Sequence, residues 1–87
     1  MKQKNEIESK LELLRDSLID AINNFGKCDI TINLICEDSL EKVNIINIEK
    51  GMFTYVSNIF GVKQEDEDDL SLLTINELYE IYLALNE

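Results

Sequence analysis

The sequence predicts an α+β domain in which a three-stranded antiparallel sheet packs against an N-terminal and a C-terminal helix. Three observations predict it. An apolar stripe of helical period covers about residues 4–25, β-branched residues alternate with polar ones between Cys28 and Ile48, and a capping box at Thr74 opens a second apolar stripe. The chain has no proline, internal repeat or linker, so residues 1–87 read as one domain, and that length supports a single core.

In the first segment Ile7, Leu11, Leu14, Leu18, Ala21 and Phe25 recur at steps of four and three, one stripe in heptad register. Leu13, Ile19 and Ile22 widen it, while Glu8, Lys10, Glu12, Arg15, Asp16 and Asp20 form a solvated face. Glu6 and Lys10 are an i,i+4 pair with the acid first. Gly26 is expected to close the helix as a left-handed cap, with Lys27 near the negative end of its dipole. The stripe has two possible uses: packing on the chain's own sheet and last helix, or packing on a second copy.

Ile30, Ile32 and Leu34 alternate with Asp29, Thr31 and Asn33, which predicts a half-buried strand over 28–36. Glu37-Asp38-Ser39 reads as a turn, and 42–48 as a second strand whose alternation slips at Ile45-Ile46, a possible bulge. Glu49-Lys50-Gly51 fits a three-residue hairpin loop with glycine at positive φ, leading into a third strand over 52–57. Met52, Val56, Ile59 and Phe60 also fit helical spacing with Gly61 as its cap; the hairpin is the favoured reading, and the other stays open.

Lys63-Gln64 precede five successive acids, Glu65, Asp66, Glu67, Asp68 and Asp69, expected as an exposed loop or the start of a helix. In Thr74-Ile75-Asn76-Glu77 the threonine takes one orphan N–H and the glutamate reaches back for another, with Leu73 and Leu78 at the hydrophobic-staple positions. Ile75, Leu78, Tyr82 and Leu85 form the inner stripe of that helix, flanked by Tyr79, Ile81 and Leu83.

The net charge is −10, eighteen acids against eight bases, of which only Arg15 is arginine. Direct binding to nucleic acid or to an anionic membrane is opposed by this balance, and a basic partner is favoured. No apolar run reaches the ~18–20 residues of a membrane span, and Met1–Glu6 lacks the apolar stretch of a signal peptide, so a cytoplasmic location is expected. Histidine is absent and the glycines Gly26, Gly51 and Gly61 are dispersed, which removes the commonest general base, the commonest zinc ligand and any phosphate-cradling loop; no enzyme activity and no cofactor are expected. The acidic run lacks the glycine and the spaced ligands of an EF-hand, so no metal site is expected either. Cys28 and Cys36 on one strand lie roughly 26 Å apart, too far to pair, and read as small apolar residues.

The acidic run has a further reading. An extended chain places a side chain every ~3.3 Å, close to the ~3.4 Å advance per phosphate along one DNA strand, so a run of carboxylates can imitate a nucleic-acid strand to a basic groove. Glu65–Asp69 are the primary candidate partner-binding residues, with Glu37, Asp38 and Glu41 as support and Glu77 and Glu80 as possible extensions. In size, acidity and α-βββ-α order, with Glu37-Asp38 at a strand turn and Glu65–Asp69 before the last helix, the chain resembles small phage-encoded anti-defence proteins of the anti-CRISPR type. The resemblance carries no shared motif. It implies an inhibitor in the host-cell cytoplasm that blocks the basic surface of a nucleic-acid-binding protein, a Cas effector or another defence nuclease, by nucleic-acid mimicry. The competing expectation is a small homodimeric adaptor, regulator or immunity protein that uses the heptad face of the first helix. A DNA-binding helix-turn-helix around Phe60-Gly61-Val62 is disfavoured by the missing basic recognition helix.

Overall fold

A computed structural model describes the backbone at residues 2–36 and 38–87, and the side chains among these except at 2–6, 36 and 59. The elements in order are α1 (Lys2–Ile22), β1 (Gly26–Cys36), β2 (Ser39–Glu49), β3 (Met52–Ile59), β4 (Val62–Asp69), a 3₁₀ turn (Leu70–Leu72) and α2 (Ile75–Leu85). The sheet is a four-stranded antiparallel meander in the order β1-β2-β3-β4, one strand more than the sequence predicts. The added strand is the acidic run itself. Expected as a loop or helix start, it pairs along its whole length with β3, from Ile59↔Val62 to Met52↔Asp69. The same pairing replaces the helical alternative at 52–60 with strand.

The meander follows from its turns. Lys50-Gly51 and Phe60-Gly61 both have positive φ at each residue (54° and 76°, 52° and 81°) and join strands that pair up to the turn, Glu49↔Met52 and Ile59↔Val62. These are two-residue loops of the type whose twist matches the strands, in place of the three-residue loop expected at Gly51. Phenylalanine is ill suited to such a φ, and its ring is fully exposed. Phe60→Asn is therefore expected to raise the stability by about 1 kcal/mol, read as a higher urea midpoint.

The core lies on one face of the sheet. Residues paired across antiparallel strands share a face, so Ile32↔Val43 and Ile48↔Phe53 point inward together. The bulge expected at Ile45-Ile46 is present: the register shifts between Ile45 and Asn47, and the extra residue lets Ile45 and Ile48 both face in and be fully buried. A second shift between Lys27 and Ile30 is pinned by Asn44, whose Nδ2 donates to Asp29 Oδ1 (2.7 Å) and to the Ile30 carbonyl (3.1 Å).

α2 forms as its local chemistry requires. Glu77 N donates to Thr74 Oγ1 (3.1 Å) and Thr74 N to Glu77 Oε1 (2.8 Å), while Leu73 and Leu78 close the staple in the core. Leu78 and Ile81 are its fully buried residues, Ile75, Tyr82 and Leu85 are partly buried, and Tyr79 and Leu83 are exposed. Glu77 also reaches across the domain: its Oε2 accepts from Ile35 N (2.9 Å), fastening α2 to β1, the other edge strand. Glu77→Ala removes the acceptor for two backbone N–H groups and is expected to cost about 2–3 kcal/mol in chemical unfolding.

α1 behaves differently from the expectation of a helix packed along its length. It ends at Ile22, three residues before the predicted end at Phe25. Gly26, at φ 90°, starts β1 and does not cap the helix, and Lys27 belongs to that strand. The C-terminal end of α1 is tied to the β2–β3 turn by Gly51 N to the Asn23 carbonyl (3.1 Å) and Lys50 N to Asn24 Oδ1 (3.0 Å). Leu18 and Ile22 are 6 and 2 % exposed, whereas Ile7, Leu11 and Leu14 on the same stripe are 59, 44 and 46 % exposed. At ~1.5 Å per residue the helix is about 31 Å long, and the molecule extends to 49 Å along its long axis. No helix among the described residues is long and apolar enough to cross a membrane. The Glu6–Lys10 pair and the side chain of Cys36 lie outside the described residues.

Candidate partner-binding surface

β4 is an edge strand, so one side of its backbone faces solvent and its side chains alternate between the two faces of the sheet. The pairing with β3 assigns each acid. Glu65, Glu67 and Asp69 lie opposite Val56, Thr54 and Met52, on the face that carries no helix. Asp66 and Asp68 lie opposite Tyr55 and Phe53, on the face of the core. Successive carboxylates on one face stand about 6.6 Å apart, and both faces together present one charge per ~3.3 Å of strand. Glu65, Asp66, Glu67 and Asp69 are exposed and Asp68 is half-buried.

Two of the five acids also have structural partners. Phe53 and Tyr55 stack at 5.2 Å with an interplanar angle of 27°, and the Tyr55 hydroxyl donates to Asp68 Oδ2 (2.9 Å), bracing the strand from β3. Asp69 Oδ1 accepts from Ser71 N (2.8 Å), which caps the 3₁₀ turn and holds the Asp69 carboxyl below its ordinary pKa. A depressed carboxylate adds stability above its unfolded pKa, near 4, and loses it as pH falls through the lower folded value. The cap is therefore expected to persist to a lower pH than an ordinary aspartate would allow, seen as a late acid shift of the Ser71 amide resonance.

The supporting acids do not join β4. Asp38, at φ 66°, is in the β1–β2 turn, and Glu41 lies opposite Leu34 on the covered face of the sheet. Both belong to the β1–β2 hairpin, on the other half of the sheet from β4. Glu37 lies outside the described residues. Glu77 is buried and committed to its two backbone donors, so it extends no patch, whereas Glu80 is exposed beside the β1 edge. A shallow cleft of about 240 Å³ there is lined by Asn33, Ile35, Leu40, Thr74, Asn76, Glu77 and Glu80.

Other chemistry is sparse. Cys28 is half-buried, its Sγ lies 3.5 Å from the Ile45 carbonyl, and burial, assisted by Asp29, raises its thiol pKa, so the protonated form dominates at neutral pH. Among the described residues no group of three or more acids and cysteines is placed to hold a metal ion. Sequence reasoning missed the tip of the β3–β4 hairpin, where Phe60 and Val62 are exposed immediately before the acidic run; Phe60-Gly61 between two runs of equal length is the signal that marks it as a turn.

Fold and surface together define a small α+β domain with a strongly acidic sheet edge. Compared with known proteins, the chain matches no family model, no curated protein and no solved structure.

Proposed function

We propose that this protein is an acidic inhibitor that occupies the basic groove of a nucleic-acid-binding protein, of which a CRISPR-Cas or other defence nuclease is the most fitting kind. The observation that carries the reading is β4: five successive acids held extended on the open edge of a sheet. Held in this way, they need little ordering on binding, so less entropy is lost than if a flexible tail had to be straightened. Lysines and arginines that ordinarily hold phosphates exchange them for carboxylates at similar spacing. Glu65, Asp66 and Glu67 make the contacts, with Asp68 and Asp69 fixing the strand that carries them.

A second effect of the same residues is protective. Charges on an exposed edge discourage pairing with another strand, so the run also keeps the sheet from aggregating. The two roles separate in a displacement assay. Purified nucleases with basic grooves, loaded with fluorescent duplex, are titrated with the protein at low and high salt. Displacement that weakens steeply with salt is expected for the target. A protein that displaces duplex from none of them, yet aggregates when the acids are neutralised, has only the protective role.

A further inference from the structure

We propose that the free half of α1 is the contact face of a homodimer, in which two α1 helices cross antiparallel near Leu11 and Leu14. This goes beyond the reading of β4 and does not depend on it. Ile7, Leu11 and Leu14 continue the heptad stripe of Leu18 and Ile22 past the end of the core, and among the described residues they keep about half of their surface exposed. Steps of four and three are the spacing of a two-helix seam.

Charge selects a second copy as the occupant. Two chains of net charge −10 repel one another most strongly through residues 62–87, where eight acids face one base. Lys2–Ile22 carries little of that charge: it holds Lys2, Lys4, Lys10 and Arg15, half of all the basic residues, against Glu6, Glu8, Glu12, Asp16 and Asp20, a net of −1. This is where two copies meet at low electrostatic cost.

Charge also selects the direction. Glu8 and Arg15 are one heptad apart on the same flank of the stripe. In an antiparallel crossing that flank meets its own copy, so each Glu8 faces the other chain's Arg15, twice by symmetry. A parallel crossing would set Lys10 against Arg15 and repel. Arg15 is held beside the stripe by the bond from its Nη2 to the Ser71 carbonyl, which leaves its remaining N–H donors available.

Sedimentation equilibrium at tens of micromolar is expected to give about twice the 10.0 kDa chain mass. Ile7→Glu and Leu11→Glu should each yield a monomer whose far-ultraviolet circular dichroism is unchanged; Ile7, the more exposed, guards against an effect on folding. Glu8→Arg and Arg15→Glu should each weaken the dimer roughly tenfold, and the two together should restore it. A wild-type monomer at about 100 µM, a dimer that survives both apolar changes, or a double charge reversal that fails to restore association each overturns the proposal. So does a dimer that neutralising Glu65, Asp66 and Glu67 dissolves, since the contact would then be β4.

Discussion

Replacing Phe53 with alanine is expected to cost about 3–5 kcal/mol, most of the stability of a domain this size. Phe53 is a fully buried side chain of β3, opposite Ile48 on one side and Asp68 on the other. Its ring also stacks on Tyr55, whose hydroxyl holds Asp68, so the cavity weakens the brace of β4 as well as the core. Urea unfolding at neutral pH reads the loss. Leu13→Ala is the control: Leu13 is well exposed on α1, and its removal should stay within about 0.5 kcal/mol. A cost near that of the control at Phe53 would mean that the sheet does not pack as described.

The second large effect is on binding and leaves stability alone. Glu65→Gln, Asp66→Asn and Glu67→Gln together remove three exposed charges and no hydrogen bond that supports the fold. Three charge pairs at about 1 kcal/mol each amount to roughly a hundredfold loss of affinity for the basic partner at low salt. The melting temperature should hardly move, since exposed substitutions away from structural partners are nearly neutral. Asp68→Asn and Asp69→Asn are kept out of this set, because one is braced by Tyr55 and the other caps the 3₁₀ turn. Unchanged affinity in the triple variant would remove the mimicry reading and leave the acids as guards of the edge.

Local chemistry in the sequence determines α2 and the β2 bulge, and both are where it places them. A capping box and an alternation that slips at Ile45-Ile46 are short-range signals, and tertiary packing agrees with them. β4 is different. A strand is recognised in sequence by one buried face, and here neither face supplies an apolar alternation: Gln64, Asp66 and Asp68 point to the core side and are still polar. Its conformation comes from pairing with β3 after the Phe60-Gly61 turn, a non-local cause. The same holds for α1. Its stripe is legible over the whole helix, but where the packing stops, between Leu14 and Leu18, depends on the tertiary contacts it makes, those with α2 among them. Leu18 and Ile22, which sequence spacing alone offers equally to a partner, belong to the core, and Ile7, Leu11 and Leu14 remain for association. For Glu77 the capping box is legible and the bond to Ile35 is not, since that partner lies 42 residues away.

The rigid presentation of charge is what the functional account depends on, and amide hydrogen exchange across residues 63–69 tests it most directly. In a paired edge strand, amides that bond to β3 are protected and those facing solvent exchange freely, so protection should alternate along Glu65–Asp69. Uniformly fast exchange through the run, with protection retained in β1 and β2, would show five acids on a loose loop and contradict the account.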